Sequence, residues 1–298
     1  MSKLFVIIPS VKNEEALPSI KAAIAQQHFF EVNVVVAGKS IECAPLKIKC
    51  SEISSKIHFD TYVSDKILPG TARNRCLEIV KNNLEGRPDD FVLFLDDDIV
   101  VPSDFAHELK KFLETYQTCV AVMGRVESRP ANFWTKIIDY SNFWWLQVRH
   151  HIHNLGWLGA GATMIRFGYI NSTRFREDLS VGEDTDFFMR IARRENKHLS
   201  VNSLVTCMHF HGRETFSEFI SYQYRNGYRH VDWYSDGLNV SCFARQLFGA
   251  SKTAISYNKK YLVKHPHVLL GVLVSFVICF LGTQVGSIKN KSNRTGTN

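Results

Sequence analysis

Phe91-Val-Leu-Phe-Leu-Asp96-Asp97-Asp98-Ile-Val-Val-Pro102 is the stretch on which the reading of this chain turns. Five apolar residues of strand character run into three consecutive carboxylates, then three more apolar residues and a proline follow. A strand at the centre of a sheet cannot carry unpaired acids inside the core, because their desolvation is too costly. The aspartates therefore belong where the strand emerges at the C-terminal edge of the sheet. Side chains alternate along a strand, so Asp96 and Asp98 share a face and can hold one oxygen-seeking divalent ion, while Asp97 points elsewhere. A solvated turn with an acidic tip is the plainer reading of the same residues.

Upstream, Leu4–Ile8 is a short apolar run broken by Pro9-Ser10, and Asn13-Glu14-Glu15 opens a helical pattern through Ile24. Val32–Ala37 reads as the next strand, ending at Gly38. Ile57–Val63 reads as a third, leading through Pro69-Gly70 into a helix over 71–84. Downstream, Pro102-Ser103-Asp104 starts a helix over 105–116, and Cys119–Val126 is a further strand. This alternation predicts an α/β fold with a mostly parallel sheet covered by helices on both faces, whose ligands gather beyond the C-terminal strand ends. Pro9, Ala37-Gly38, Gly70 and the aspartates would then share one rim.

The pattern loses regularity from about Pro130. Phe133, Trp134, Tyr140, Phe143, Trp144, Trp145 and Trp157 crowd one segment, which suits core or interface, or a membrane-facing ledge. His150, His151 and His153 read as surface polarity and stay outside the predicted site. Gly159-Ala160-Gly161-Ala162 permits close backbone approach before a strand at Thr163–Arg166. Gly182-Glu183-Asp184-Thr185-Asp186 then caps an amphipathic helix, where acids at the helix start are also explained by the dipole. A strand over Leu199–Met208 leads into His209-Phe210-His211, with both imidazoles on one face.

The chain has 298 residues, 45% of them hydrophobic, which suits one catalytic-size domain with an appendage. Met1-Ser2-Lys3 runs straight into the first strand, so a cytoplasmic catalytic domain is expected. Seven cysteines without a CxxC pair read as reduced thiols, with neither a zinc site nor a disulfide framework. The net charge of +7 concentrates late in the chain, around an uncharged apolar stretch at Val268–Gly282, extendable to Ile288. That placement favours a membrane surface over nucleic acid. Counted generously, the stretch reaches the about 20 residues that a bilayer requires. The expected division is a domain over 1–230, a basic amphipathic juxtamembrane region over 231–266, a transmembrane helix over 267–288 and a polar tail over 289–298. The protein would be single-pass or monotopic. Asn171, Asn239 and Asn293 open glycosylation triplets that carry little meaning in a cytoplasmic domain.

Together the pieces resemble glycosyltransferase family 2, nucleotide-sugar enzymes of the GT-A fold. They stand in that family's order: Val-Ile-Ile-Pro9 with Asn13-Glu-Glu15, Ala72-Arg73-Asn74, the DXD-like Leu95-Asp-Asp-Asp98, Gly159-Ala-Gly161, Glu183-Asp184 with Asp186 and Arg190, and the histidine pair. The resemblance covers about residues 4–230. It implies a nucleotide-sugar donor, Mg²⁺ or Mn²⁺, and transfer with inversion to an acceptor hydroxyl, with a glycan or lipid-linked acceptor at a membrane. Asp98 would bind the divalent ion, with His209 or His211 as a further metal or diphosphate contact. Asp96, with Asp97 beside it, would lie toward the ribose. Arg73, Pro9 and Glu15 would stand on the nucleotide side, and Asp184 would be the general base.

The chain departs from the family at Ala37-Gly38-Lys39-Ser40, where many relatives carry a base-reading acid. It also lacks Gln-x-x-Arg-Trp, which argues against a processive synthase. Two other readings compete. Asp96-x-Asp98 matches the loose nucleophile pattern of haloacid-dehalogenase-like phosphatases, though that motif normally follows a first strand. The altered second strand end also suits a membrane-tethered nucleotide-sugar-binding protein without activity.

Overall fold

The structure is a computed structural model that describes residues 2–10, 14–39, 44–62, 68–143, 147, 151–170, 172–233, 252, 255–256 and 258–295. Asn13, Ser40, Trp144, Trp145, His150, Asn171 and most of the expected juxtamembrane region lie outside the described residues. In chain order the elements are β1 (Lys3–Ser10), α1 (Leu17–Ile24), β2 (Glu31–Lys39), α2 (Ala44–Ile53), β3 (Ile57–Tyr62), α3 (Pro69–Asn82), β4 (Phe91–Leu95), β5 (Ile99–Val100) and α4 (Phe105–Thr115). There follow β6 (Cys119–Ser128), α5 (Phe133–Asn142), β7 (Ile152–Leu155), β8 (Ala162–Arg166), α6 (Phe167–Ile170), α7 (Glu183–Glu195), β9 (His198–His209), α8 (Phe216–Trp233) and a C-terminal helix, Pro266–Thr295.

The chain divides into two units. The first holds Met1–Val126, Arg149–Leu179 and Glu183–His209; the second holds Glu127–Val148, Ser180–Gly182 and Phe210–Asn298. The strand order is β3-β2-β1-β4-β8-β6-β9-β5, with β7 on β9. β3, β2, β1 and β4 run parallel, as the strand-helix alternation predicts. β8 then lies antiparallel to β4 and to β6, and β9 is antiparallel to β5 and β7. The direction changes because β8 returns after the excursion through α5 and β7 and not through one right-handed crossover helix.

The parallel strands are buried on both faces, which is why they read as unbroken apolar runs: Leu4–Ile8 and Phe91–Leu95 are almost fully shielded from solvent. α4 covers the sheet with Phe105, Ala106, Leu109, Phe112 and Leu113, the spacing of one helical face. Beneath the rim, Phe94 of β4 meets Phe175, Phe187 and Phe188 edge-on, and Phe175 stacks on Phe187 with ring centroids 3.9 Å apart. This aromatic knot seats the first turns of α7 against β4. His151 and His153, left outside the site by the sequence, pack against the ring of Phe112. The described cysteines, Cys50, Cys76, Cys119, Cys207 and Cys279, are buried free thiols.

The second unit is mainly helical among its described residues. Ile137 and Ile138 of α5, Phe219 of α8, Leu262, Val268 and Val272 form its core. α8 and the C-terminal helix are in backbone contact: a methyl group at Gly227 would lie 1.8 Å from the Cys279 carbonyl oxygen, and one at Gly282 would lie 2.2 Å from that of Tyr224. Thr283 Oγ1 donates to the Gly227 carbonyl at 2.9 Å. Pro266–Gly286 is long and apolar enough to cross a membrane, and 33% of its most apolar window is buried. The helix continues unbroken to Thr295, through most of the stretch expected as a polar tail. α5 and α8, which the sequence reading assigns to 1–230, group with this helix because their apolar faces close on it.

Candidate active site

Parallel register builds the rim. Pro9 pairs with Ala37, Ser10 with Gly38, and Ile7 with Phe94, so the C-terminal ends of β1, β2 and β4 lie side by side. The strand with the aspartates is fourth in chain order, where the phosphatase pattern would need the first. Asp97 is buried and its carboxylate accepts the Ser10 hydroxyl at 3.0 Å, while its carbonyl accepts the Ser19 hydroxyl at 3.0 Å. The middle aspartate thus ties β4 to β1 and α1.

Asp96 is held from α3. Arg73, 4% exposed, donates Nη2 to Asp96 Oδ1 at 2.8 Å and Nη1 to Glu183 Oε1 at 2.6 Å. Its neighbour Asn74 pairs with both backbone polar groups of Phe175, donating Nδ2 to the carbonyl at 3.0 Å and accepting the N–H at 2.9 Å. α3 can approach closely because Gly70 faces the Arg176 carbonyl, which a Cβ would meet at 2.7 Å. Burial works to lower the Arg73 pKa, but Asp96, Glu183 and Asp184 overcome it and hold the guanidinium charged. Burial, with Asp184 adding repulsion against the pull of Arg73, pushes Glu183 up to about 7. Burial likewise raises Asp96, with Arg73 opposing and Asp98 reinforcing the rise.

Glu183 is the residue that reading the sequence missed. Its signal was present, since an acid buried on the inner face of an amphipathic helix requires a cation, and Arg73, which the sequence places on the nucleotide side, also supplies that cation.

Asp98 meets His209 through a two-residue strand. β5 pairs Ile99 with His209, which leaves Asp98 Oδ1 3.2 Å from His209 Nε2. His211 is placed otherwise, in the second unit. Its Nε2 lies 2.8 Å from Ser128 Oγ and its Nδ1 accepts the Arg213 N–H at 3.1 Å, while the Ser128 hydroxyl donates to Asp139 at 2.5 Å. Both ring nitrogens of His211 are engaged within this buried chain, and His209 is the histidine beside the aspartates.

Asp184, in the first turn of α7, accepts the Ala160 N–H at 3.0 Å on Oδ2 and its own neighbour's N–H, from Thr185, at 2.7 Å on Oδ1. A Cβ at Gly159 would stand 3.4 Å from Asp184 Oδ2, and one at Gly161 would stand 3.1 Å from Asp96 Oδ2. The Gly161 carbonyl also accepts the Asp96 N–H at 3.1 Å. Gly159-Ala160-Gly161 therefore borders both carboxylates, and at Gly161 a Cβ would be tight against Asp96. Glu15 is exposed in the single turn Glu14–Ala16 that follows β1 in the described chain, and Pro9 is half-buried at the end of β1.

Among the described residues no group of three or more His, Cys, Asp or Glu side chains forms a metal cage. Asp98 and His209 offer two donors on an acidic rim. Such a pair fits a divalent ion that takes its remaining oxygens from a diphosphate and water, as Mg²⁺ does when bound through one or two carboxylates plus substrate phosphates. A cavity of about 260 Å³ lies at the other end of the sheet, lined by Leu113, Glu114, Gln117, Cys119, Arg166, Tyr169 and Lys197. Arg166 pairs with Phe91 at the start of β4, so this hollow is remote from the aspartates.

No family model matches the chain, and no curated protein sequence does. Solved structures do match its fold. Residues 1–349 of TarS from S. aureus align over 100% of this chain and 92% of their own, with a TM-score of 0.53 and 14% identity. The mannosyltransferase PcManGT from Pyrobaculum calidifontis, in complex with GDP-Man and Mn²⁺, aligns over 94% of this chain and 86% of its own, with a TM-score of 0.59 and 14% identity. A mycobacterial protein aligns over 77% and 74%, with a TM-score of 0.52 and 15% identity. At these identities the likeness is one of fold, and the fold is one on which a mannosyltransferase is built.

Proposed function

We propose that this chain transfers a sugar, of hexosyl type, from a nucleotide-sugar donor to an acceptor hydroxyl with inversion, as glycosyltransferase family 2 enzymes do. The observation that carries the reading is the joint placement of Asp96 and Asp184 against Gly159-Ala160-Gly161. A carboxylate of the donor side and a carboxylate able to take a proton stand on opposite edges of one three-residue segment. The neighbour that binds GDP-Man and Mn²⁺ on the same fold supports the donor class.

Asp98 and His209 would hold Mg²⁺ or Mn²⁺, which neutralises charge developing on the leaving diphosphate. Asp96, oriented by Arg73, would bind the ribose side of the donor, with Pro9 and Glu15 bordering the nucleotide. Asp184 would take the acceptor proton: its two backbone hydrogen bonds fix the direction of its carboxylate. One displacement on the face opposite the leaving group then inverts the anomeric centre. The acceptor is proposed to be a glycan or lipid-linked precursor at a membrane, with the catalytic unit on the cytoplasmic side.

Thermal-shift measurements with nucleoside diphosphates test the reading directly. A diphosphate is expected to raise the melting temperature with Mn²⁺ and not without it, by an amount that grows with ligand excess. Absence of a metal-dependent shift for every nucleotide would overturn it.

A further inference from the structure

The C-terminal helix is apolar on its outer face as well as its inner one. Its polar side chains Ser275 and Thr283 are buried at 2% and 1% exposure, facing the second unit. Between Val268 and Gly286 its exposed residues are Leu270 (63% exposed), Leu273, Val274, Val277 (58%), Leu281 (53%) and Val285, every one apolar. The spacing draws one continuous stripe along about 22 Å of helix. While water covers that stripe, the hydrophobic stabilisation that burying it would give is not realised.

The charge around the stripe says what covers it. The 62 residues after Asp236 hold eight Lys and Arg and no Asp or Glu. Lys259, Lys260 and Lys264 are exposed in the helical stretch 258–264 that precedes the long helix. Aromatic rings sit at the same end, where Phe133 packs on Trp134 and His267, and Tyr261 stacks between Tyr140 and His265. An apolar stripe with aromatic rings and lysines at its end matches the boundary between acyl chains and anionic headgroups. A second copy packed parallel along the stripe would set these lysines against its own.

The packing also fixes the angle. Gly227 and Gly282 lock the helix to α8, and Gly271 brings it against Ile137 of α5, where a methyl would meet the Ile137 side chain at 2.3 Å. α8 carries exposed Glu218 and Arg225. If the helix crossed a bilayer with α8 attached, those charges would enter hydrocarbon.

We infer that the second unit is an in-plane docking face for an anionic lipid surface, in which the helix lies at the headgroup boundary with its Leu270–Val285 stripe immersed and Lys259, Lys260 and Lys264 on the headgroups. This is independent of the sugar-transfer reading, since it concerns lipid binding alone.

Flotation of the full chain on sealed vesicles tests it, comparing phosphatidylcholine alone with phosphatidylcholine mixed with phosphatidylglycerol. The chain is expected to rise with the anionic vesicles at low salt. Lys259→Gln, Lys260→Gln and Lys264→Gln together should weaken that binding by about tenfold or more. Leu270→Glu with Val277→Glu, both at outward positions that the fold tolerates, should abolish it. Trypsin added outside vesicles that carry the protein on their outer face should cut at Lys289, because the helix does not cross. The inference is overturned if the chain floats with neither vesicle, or if the triple Gln variant floats on anionic vesicles as well as the parent. A tail protected from trypsin would overturn the in-plane placement. A dimer that binds no vesicle and is dissociated by the Leu270 and Val277 changes would assign the face to a second copy.

Discussion

Arg73 and Glu183 meet at 2.6 Å across 110 residues of sequence, and both are buried. The same guanidinium reaches Asp96 at 2.8 Å with its other terminal nitrogen. One side chain thus sets the position of β4's first aspartate relative to the start of α7, and only a planar fork can do it from α3.

Arg73→Met leaves two buried carboxylates without their cation. It is expected to cost about 3–5 kcal/mol of unfolding free energy, the range for removing one partner of a buried pair. Arg73→Lys keeps the charge but serves one acid at a time, and should fall between the two. Urea denaturation of the three proteins measures the series, and a Met variant as stable as the parent would show that the fork holds nothing.

Glu183 gives the stability a pH dependence. Its pKa is raised in the folded protein to about 7, so the folded state binds more protons than the unfolded chain between the ordinary Glu range and neutrality. The contribution is complete below the unfolded pKa and is lost as pH rises through about 7. The melting temperature of the parent should therefore fall over that window, and Glu183→Gln should flatten this part of the curve. An unchanged slope in the Gln variant would move the effect to other groups.

Asp98 and Asp184 should separate binding from chemistry. Asp98→Ala is expected to remove metal-dependent nucleotide binding and transfer together. Asp184→Asn should keep that binding while lowering the transfer rate by about 10²–10⁴-fold, the usual worth of a general base. Calorimetry with Mn²⁺ and a nucleoside diphosphate, beside a transfer assay, reads both. Full transfer by the Asn variant would remove Asp184 from the base role.

Gly227→Ala tests the second unit. Its methyl would stand 1.8 Å from the Cys279 carbonyl, so α8 and the C-terminal helix must separate. Overpacking of this kind costs about 1–3 kcal/mol and here involves backbone, which cannot rotate away. Loss of stability without loss of nucleotide binding is expected, read by chemical denaturation and the thermal-shift assay.

The parallel half of the sheet was legible because Leu4–Ile8, Val32–Ala37 and Phe91–Leu95 are buried on both faces and so wrote themselves as apolar runs. Pro69-Gly70 and the acids before Phe187 announced α3 and α7 through ordinary helix-start chemistry. β5 did not announce itself. Two residues have no periodicity, yet their pairing is what carries His209 to Asp98. The choice between His209 and His211 was equally hidden, since alternation makes them equivalent and only the hydrogen bonds of Ser128 and Arg213 distinguish them. Asp97 was readable as the aspartate that points away, though its buried partner Ser10 was not, because the register that joins them is set by the sheet. The C-terminal stretch announced its length and apolarity but not its neighbours: which face is covered depends on Gly227 of α8, some fifty residues earlier.

β4 has a parallel neighbour on one side and an antiparallel one on the other. On the β1 side, chain segments leave the rim; on the β8 side, a segment arrives at it. Under the proposed sugar transfer, the departing loops after β1, β2 and β4 would carry the donor while the arriving Gly159-Ala160-Gly161 segment would hold Asp184 in place. The seam in the sheet would then be a division of labour, in which one half of the proposed reaction can vary while the other keeps its geometry.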